Sequence, residues 1–139
     1  MCSTANLELV KSIGADHVID YTREDFTRSG ETYDIVVDNV GNAPFSRVKG
    51  SLKNGGRLLV VVGALSDMLL APWVSRTSGK RVTPVLARPT AEDLRFLASL
   101  AESGQFKPVI DRRYPFERIT EAHRYVDTGR KRGNVVVTL

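Results

Sequence analysis

The fold is decided by residues 33–41, which read YDIVVDNVG, and by residues 52–63, which read LKNGGRLLVVVG. Each stretch contains a short run of β-branched and aliphatic residues that stops abruptly at an aspartate, an asparagine or a glycine. Such runs are typical of strands that are covered on both faces, as parallel strands under helices are. In an open parallel sheet, ligands bind where strands end at their carboxyl edge. The residues expected at that edge are Asp38, Asn39, Gly41 and Gly63.

The remaining segments alternate between helical and extended patterns. Helices are predicted for residues 3–14, 42–54, 90–104 and 117–127, with a shorter one at 68–74. Strands are predicted for residues 17–20, 33–40, 57–62, 81–87 and 134–139, with extended backbone at 107–115. Thr22 is predicted to cap one or two helical turns, and Thr90 to cap a helix with an apolar stripe through Leu94 and Leu97. This alternation predicts an α/β sheet with right-handed crossovers.

The composition excludes several functional classes. A net charge of +4, with acidic residues interleaved among the arginines, argues against a nucleic-acid-binding stripe. The single cysteine, Cys2, excludes a disulfide or a multi-cysteine metal site within one chain. No apolar run approaches the roughly 18 residues of a membrane span, and the first residues do not read as a signal peptide. We therefore expect a soluble, cytoplasmic protein without nucleic-acid or membrane partners.

Four stretches together resemble the medium-chain dehydrogenase/reductase superfamily, in its quinone-oxidoreductase-like and NAD(P)-dependent alcohol dehydrogenase branch. They are NLELVKSIGADHVIDYTREDF, YDIVVDNVG, LKNGGRLLVVVG and EAHRYVDTGRKRGNVVVTL. The resemblance implies an incomplete Rossmann-type doubly wound parallel sheet that lacks the first strand and its glycine-rich turn, because no G-x-G-x-x-G occurs in the 139 residues. We expect a truncated NAD(P)-binding domain, with the C-terminal helix and strand of the family at about residues 105–139.

The resemblance implies that NADPH or NADH binds, with NADPH preferred. No zinc site is predicted, because neither His17 nor His123 is paired with a Cys or Glu at ligand spacing. The implied cofactor-binding residues are Ser3, Thr4, Asn6, Tyr21, Asp38, Asn39, Gly41, Gly63, Ala64 and Arg130. Ser3, Thr4 and Tyr21 would hold the 2′-phosphate of NADPH, because hydroxyl groups donate hydrogen bonds to phosphate. Gly41 would let the dinucleotide approach the backbone, and Gly63 would lie beside the nicotinamide.

Ordinary structural roles compete with several of these assignments. A capped helix explains Ser3 and Thr4, a strand-to-helix turn explains Asn39, and a solvated basic turn explains Arg130. Relatives often place a basic residue where Ala5 and Asn6 stand. No acidic residue suited to a free ribose 2′-hydroxyl stands in this turn either.

The leading functional hypothesis is the cofactor-binding portion of an NAD(P)H-dependent oxidoreductase that is inactive as an isolated chain. The intact enzyme would act on a quinone, an enone or an alcohol/carbonyl pair. One alternative is an S-adenosylmethionine-dependent methyltransferase, since LKNGGRLLVV also occurs in that fold. Another is a non-enzymatic module for self-association or partner binding. Residues 81–87, RVTPVLA, resemble the strand that pairs across a twofold axis in this superfamily, so we expect a homodimer through that edge.

Overall fold

The structure, a computed structural model, describes residues 1–62, 65–85 and 88–139. The chain forms two compact units. The first unit comprises Met1–Leu7 and His17–Arg88, and the second comprises Glu8–Asp16 and Pro89–Leu139. Each unit contains a sheet whose described strands pair in parallel. The expected class, a parallel α/β sheet of partial Rossmann type, is therefore confirmed.

The sheet of the first unit has the order β1-β2-β3. The strands are β1 (Tyr33–Asp38), β2 (Leu52–Val60) and β3 (Arg81–Pro84). Short helix α2 (Phe45–Val48) lies between the first two, and α3 (Leu65–Thr77) lies between the second and third. Because each connection returns the chain to the same end of the sheet, all three carboxyl ends share one edge.

The core of the first unit is made by apolar side chains from the three strands' interior, from the two helices and from a 3-10 turn at Phe26–Arg28. Its fully buried members are Leu58 at the centre of β2 and Val48 at the end of α2. Val82 from β3 and Val74 from α3 complete the same cluster. The apolar run in β2 therefore packs as the sequence pattern predicts, with the central strand most deeply buried.

β3 lies at the end of the described sheet, as Pro84 predicts. The Val85 N–H donates to Val60 O at 2.8 Å, so the Thr83 N–H, two residues earlier, points toward β2 as well. Pro84 then occupies the outward-facing position, where the ladder needs no donor. Of the predicted strand Arg81–Ala87, the last two residues lie outside the described residues.

The helix predicted for residues 42–54 is wrong in its second half. After α2 the chain makes a 3-10 turn at Lys49–Ser51 and enters β2 at Leu52, so the paired glycines lie within the strand. A Cβ on Gly56 would come within 2.8 Å of Lys53 O and 3.2 Å of Tyr33 O. Gly56 thus permits close backbone contact where the β1–β2 register is irregular.

Three further predictions near the N-terminus need correction. Residues 17–20 form a single parallel bridge, Cys2 to Asp20, because the chain leaves the extended conformation at the 3-10 turn Thr4–Asn6. The helix predicted for residues 3–14 is limited to that turn and α1 (Leu7–Ser12). The 3-10 turn at Phe26–Arg28 is capped by Asp25, whose carboxylate accepts the Thr27 N–H, and not by Thr22.

The second unit contains α4 (Ala91–Glu102), β4 (Ile110–Pro115), α5 (Ile119–Asp127) and β5 (Asn134–Thr138). β4 and β5 pair in parallel, with α5 between them in the chain. Tyr114 and Ala122 are its buried hydrophobic residues among those described. These elements agree with the sequence prediction.

The predicted cap of α4 is confirmed, but its apolar stripe is not packed within the described structure. Thr90 and Asp93 form a reciprocal capping box, in which Thr90 N–H donates to the Asp93 carboxylate at 2.8 Å. Leu94 is 61% exposed and Leu97 is 47% exposed. Helical periodicity here identified the helix correctly, while the burial it usually implies is absent.

Replacing Leu58 by alanine should destabilise the first unit by about 2–5 kcal/mol, because it leaves a cavity in the middle of β2. Chemical denaturation followed by circular dichroism measures this change. Leu94→Ala is the matched control, since its side chain is largely exposed and its loss should change stability by less than about 0.5 kcal/mol. Equal effects of the two substitutions would contradict the assigned core.

Candidate functional site

β1 ends in an aspartate whose carboxylate shapes the following loop. Asp38 Oδ1 accepts the Gly41 N–H at 2.8 Å and the Val40 N–H at 3.1 Å, and Oδ2 accepts the Ala43 N–H at 2.9 Å. Burial alone would raise the pKa of Asp38, but these backbone donors outweigh it and hold the pKa below its ordinary value. The carboxylate is thus committed to the loop, and Asn39 and Val40 are left exposed at its surface.

Gly41 occupies a position that only glycine fits easily. Its φ of +79° lies in the left-handed region, and a Cβ there would come within 3.2 Å of Val62 O. The Val61 N–H donates to Asp38 O at 2.9 Å, which holds the ends of β1 and β2 together. The loop backbone therefore lies directly against the turn after β2, at the carboxyl edge expected from the sequence.

An apolar cleft of about 470 Å³ lies along β1. One wall consists of β1 and its loop, and the other includes Met1, Ile19 and Tyr21. Ile35 and Val37 are 56% and 51% exposed toward solvent, so an apolar surface is available beside the polar loop. Ligand clefts commonly combine apolar walls with a few polar groups at one end.

A charged cleft of about 390 Å³ adjoins the apolar cleft, and the two share Met1, Tyr21, Phe26 and Asn42. Its charged lining residues are Arg23, Glu24, Asp25 and Arg47. Tyr21, whose side chain is 59% exposed, therefore stands at the junction of an apolar and a charged surface.

Asp20 ties together the two segments that carry the predicted phosphate-binding residues. Its Oδ2 accepts the Thr4 hydroxyl at 2.5 Å, and its Oδ1 accepts the Thr22 hydroxyl at 2.7 Å and the Thr22 N–H at 3.0 Å. The Thr4 hydroxyl, followed by the Thr22 hydroxyl, is the main cause that lowers the pKa of Asp20. Asp20 is 6% exposed, so this buried carboxylate is a structural link between the two turns.

Sequence reasoning missed Asp20, although a signal was present. Asp20-Tyr21-Thr22 and Asp25-Phe26-Thr27 share the pattern D-x-T. In both, the threonine N–H donates to the aspartate Oδ1 at 3.0 Å, and the threonine hydroxyl donates to the same oxygen. This is the Asx-turn geometry that aspartate and threonine favour at such spacing.

The other predicted residues of this turn lie nearby. Ser3 adopts the N-cap backbone conformation but makes no side-chain capping bond, and Asn6 Nδ2 lies 3.5 Å from Ser3 Oγ. Asn6 Oδ1 is buried without a hydrogen-bond partner among the described residues. The Tyr21 N–H donates to Cys2 O at 3.1 Å, which fixes its backbone beside the turn.

Arg130 belongs to the second unit, where its turn is fixed by Asp111. The Asp111 Oδ2 accepts the Tyr125 hydroxyl at 2.7 Å and the Arg132 N–H at 2.8 Å. The Arg132 N–H, followed by the Tyr125 hydroxyl, lowers the pKa of Asp111. Arg112 stacks on Tyr125, with its guanidinium carbon 3.7 Å from the ring centroid. Arg130 itself is exposed on this ordered turn.

The predicted residues thus divide into four groups. Ser3, Thr4, Asn6 and Tyr21 surround one turn, and Asp38, Asn39 and Gly41 form the loop across the apolar cleft. Arg130 lies in the other unit. Gly63 and Ala64 lie outside the described residues. Among the described residues, no group of three or more His, Cys, Asp or Glu side chains is placed to hold a metal ion, and no helix is both long and apolar enough to span a membrane.

Comparison with known proteins gives consistent matches. The zinc-binding dehydrogenase family profile matches residues 13–137. A 2-methylene-furan-3-one reductase of Solanum lycopersicum is 36% identical over 97% of this chain and 31% of its own length. A chloroplastic NADPH-dependent alkenal/one oxidoreductase of Arabidopsis thaliana is 34% identical over 97% of this chain and 32% of its own. The quinone oxidoreductase structure from Coxiella burnetii superposes with a TM-score of 0.79 at 25% identity, over 99% of this chain and 43% of that one.

The chain therefore spans about a third of the length of these two curated relatives.

Replacing Asp20 by asparagine should lower stability at neutral pH, because it removes the charge that holds both threonine hydroxyls. A folded-state pKa below the unfolded value of about 3.9 means that the carboxylate stabilises the fold above that pH. This stabilisation is lost as the pH falls through the folded pKa. The difference between the parent and the variant, measured by denaturation between pH 7 and pH 3, should therefore shrink on acidification.

Glu24→Gln is the control for this measurement, since Glu24 is an exposed neighbour whose side chain makes no hydrogen bond among the described residues. It should leave stability unchanged at each pH. A stability difference for Asp20→Asn that persists in full at pH 3 would contradict the assigned role of the charge.

Proposed function

This chain belongs to the zinc-binding dehydrogenase family, and we propose that it forms the nicotinamide-dinucleotide-binding portion of an NAD(P)H-dependent oxidoreductase. The resemblance to the medium-chain dehydrogenase/reductase superfamily, in its quinone-oxidoreductase-like branch, is confirmed by this match and by the relatives at 36% and 34% identity. Residues 1–139 act as an NAD(P)-binding domain in this proposal, with residues from about 105 onward as the family's terminal helix and strand.

The observation that carries the proposal is the pair of adjoining clefts in the first unit, the larger of which runs along β1 from Tyr33 to Asp38 and reaches the loop at the carboxyl edge. An apolar cleft beside a polar loop suits a planar heteroaromatic ring. The neighbouring cleft, lined by two arginines as well as Glu24 and Asp25, offers guanidinium donors to a phosphorylated ribose. Tyr21 borders both. In parallel α/β sheets this edge is where ligands bind.

Gly41 is proposed to act through the shape of the loop, because a Cβ there would crowd Val62 O at 3.2 Å and push the loop away from the turn after β2. Asn39, which lines the apolar cleft, offers a donor and an acceptor. Asp38 acts indirectly by holding the loop. When bound, the nicotinamide supplies the hydride, while the protein residues orient the cofactor. NADPH is the proposed form, in line with the name of the Arabidopsis relative, an NADPH-dependent alkenal/one oxidoreductase.

Zinc has no place in this proposal, although the family description mentions it. Cys2 is the only cysteine, and the two histidines, His17 and His123, lie in different units. The described residues therefore do not provide the three or four converging Cys, His or carboxylate ligands that zinc requires.

The substrate of the whole protein is proposed as a quinone or a conjugated carbonyl compound, by analogy with the named relatives. The 139 residues contain no G-x-G-x-x-G turn to hold the pyrophosphate. We therefore expect these residues alone to bind a dinucleotide without turning it over.

A calorimetric titration of the 139-residue chain with NADPH tests nucleotide binding. Tyr21→Ala should weaken binding by about tenfold, since it removes a hydroxyl donor to the phosphate and a hydrogen bond to a charged group is worth about 1.5–3 kcal/mol. The control is His17→Ala, an exposed residue in the same unit that lines neither cleft. Absence of binding, or equal binding by both variants, would contradict the site. NADPH oxidation with a quinone by the chain alone would contradict the expected inactivity.

We also propose a homodimer through the edge strand predicted at Arg81–Ala87, which includes β3. The outward-facing side of β3 carries the Val82 N–H, since the amides of Thr83 and Val85 point to β2. Such an edge readily pairs with a second strand. Sedimentation should give twice the chain mass, and hydrogen exchange at the Val82 amide should slow as protein concentration rises. A monomeric mass with concentration-independent exchange would contradict this pairing.

A further inference from the structure

We propose that Arg23 selects NADPH over NADH by binding the phosphate ester at the ribose 2′-position, a role that rests on the proposed function. Arg23 was not among the residues implied by the sequence pattern. The structure places Arg23 beside Asp20 and in the lining of the charged cleft.

Two hydroxyl protons near the predicted phosphate turn, those of Thr4 and Thr22, are already used by Asp20. A threonine hydroxyl has one proton to donate, and both Thr4 and Thr22 direct theirs to Asp20. A phosphate dianion only accepts hydrogen bonds. While Asp20 is ionised and accepts both protons, these two hydroxyls have no proton left to donate to a phosphate. Among the described residues, the Ser3 and Tyr21 hydroxyls remain as donors, but both are neutral, and a dianion at this turn is bound more strongly when a cation also donates to it.

Arg23 provides a cation beside this turn. Its Nε lies 3.7 Å from Asp20 Oδ2, the same oxygen that accepts the Thr4 hydroxyl, and its side chain is 75% exposed. Its terminal nitrogens make no hydrogen bond among the described residues. A planar guanidinium with a free edge suits bidentate binding of a phosphate.

The second arginine of the charged cleft is already committed. Arg47 Nη1 donates to Asn42 O at 3.1 Å, and Nη2 lies 3.4 Å from Asp25 Oδ1. Arg23 also offsets the negative charge of Asp20, which would otherwise repel a phosphate at this turn. Of the two arginines that line this cleft, Arg23 is therefore the one positioned to meet an anion.

A free ribose 2′-hydroxyl needs no such cation. The lone pairs of the Thr4 oxygen remain available, so a 2′-hydroxyl can donate to this threonine. Loss of Arg23 should consequently weaken the binding of NADPH and leave the binding of NADH unchanged. This is the behaviour of a specificity-determining residue.

The test compares Arg23→Gln with Arg28→Gln, an exposed arginine five positions along the same segment that lines neither cleft. Titrations of the full chain use NADPH, NADH and adenosine 2′-monophosphate. Arg23→Gln should raise the Kd for NADPH and for the monophosphate about tenfold or more, the loss expected for a charge-assisted contact. The Kd for NADH should stay within about twofold, and Arg28→Gln should match the parent for all three ligands. Arg23→Lys should recover part of the phosphate affinity, since it keeps the charge but loses the fork.

The outcomes separate the inference from the function on which it rests. Unchanged NADPH and monophosphate affinity in Arg23→Gln would overturn the role of Arg23 while leaving dinucleotide binding intact. An equal loss of NADH affinity would also overturn it, because the residue would then act on binding in general. Arg23-dependent binding of the monophosphate without binding of either dinucleotide would support Arg23 and reject the proposed function. No binding of any of the three ligands would reject both.

Discussion

The buried carboxylate of Asp38 is the constraint on which the geometry of the site depends. It accepts three backbone N–H groups at the point where β1 ends, and these bonds turn the chain across the carboxyl edge of the sheet. The turn brings Gly41 against Val62 and leaves Asn39 at the surface of the apolar cleft. A carboxylate that accepts several backbone donors stays ionised despite burial, so this loop is held by charge-assisted bonds.

A second buried carboxylate, that of Asp20, likewise holds its surroundings by hydrogen bonds, next to Ile19 and Tyr21 on the other side of the apolar cleft. Asp20 holds the Thr4 and Thr22 hydroxyls and the Thr22 N–H, and thereby joins two chain segments that form only one β-bridge. The carboxylates of both aspartates thus accept hydrogen bonds from within the protein. The groups left for a ligand lie around them and include apolar side chains along β1, the ring of Tyr21, the guanidinium of Arg23 and the carboxylate of Glu24. Two buried carboxylates therefore shape the site, and the lining that remains is apolar along β1 and carries both signs of charge in the neighbouring cleft.

Fold class and element order were predictable because β1 stops abruptly at Asp38 and α4 begins at a clear cap, Thr90. Local sequence pattern gave the wrong secondary structure where contact with a neighbouring strand determines it. Gly55-Gly56 was predicted to end a helix but lies within a strand. Local pattern also failed for Leu94 and Leu97, since periodicity identifies an apolar face without saying what covers it. The turn residues near Tyr21 were identified by resemblance. Their hydrogen-bond partner Asp20 and the cation Arg23 appeared only once the backbone placed them together.

The claim that a dinucleotide binds at the carboxyl edge of the first unit is tested most directly by amide chemical shifts, recorded while NADPH is added. The amides of Thr4, Thr22, Val40 and Gly41 should move together and saturate at one ligand per chain, while those of α4 stay in place. Shifts confined to the second unit, or scattered without saturation, would contradict the site described for this chain.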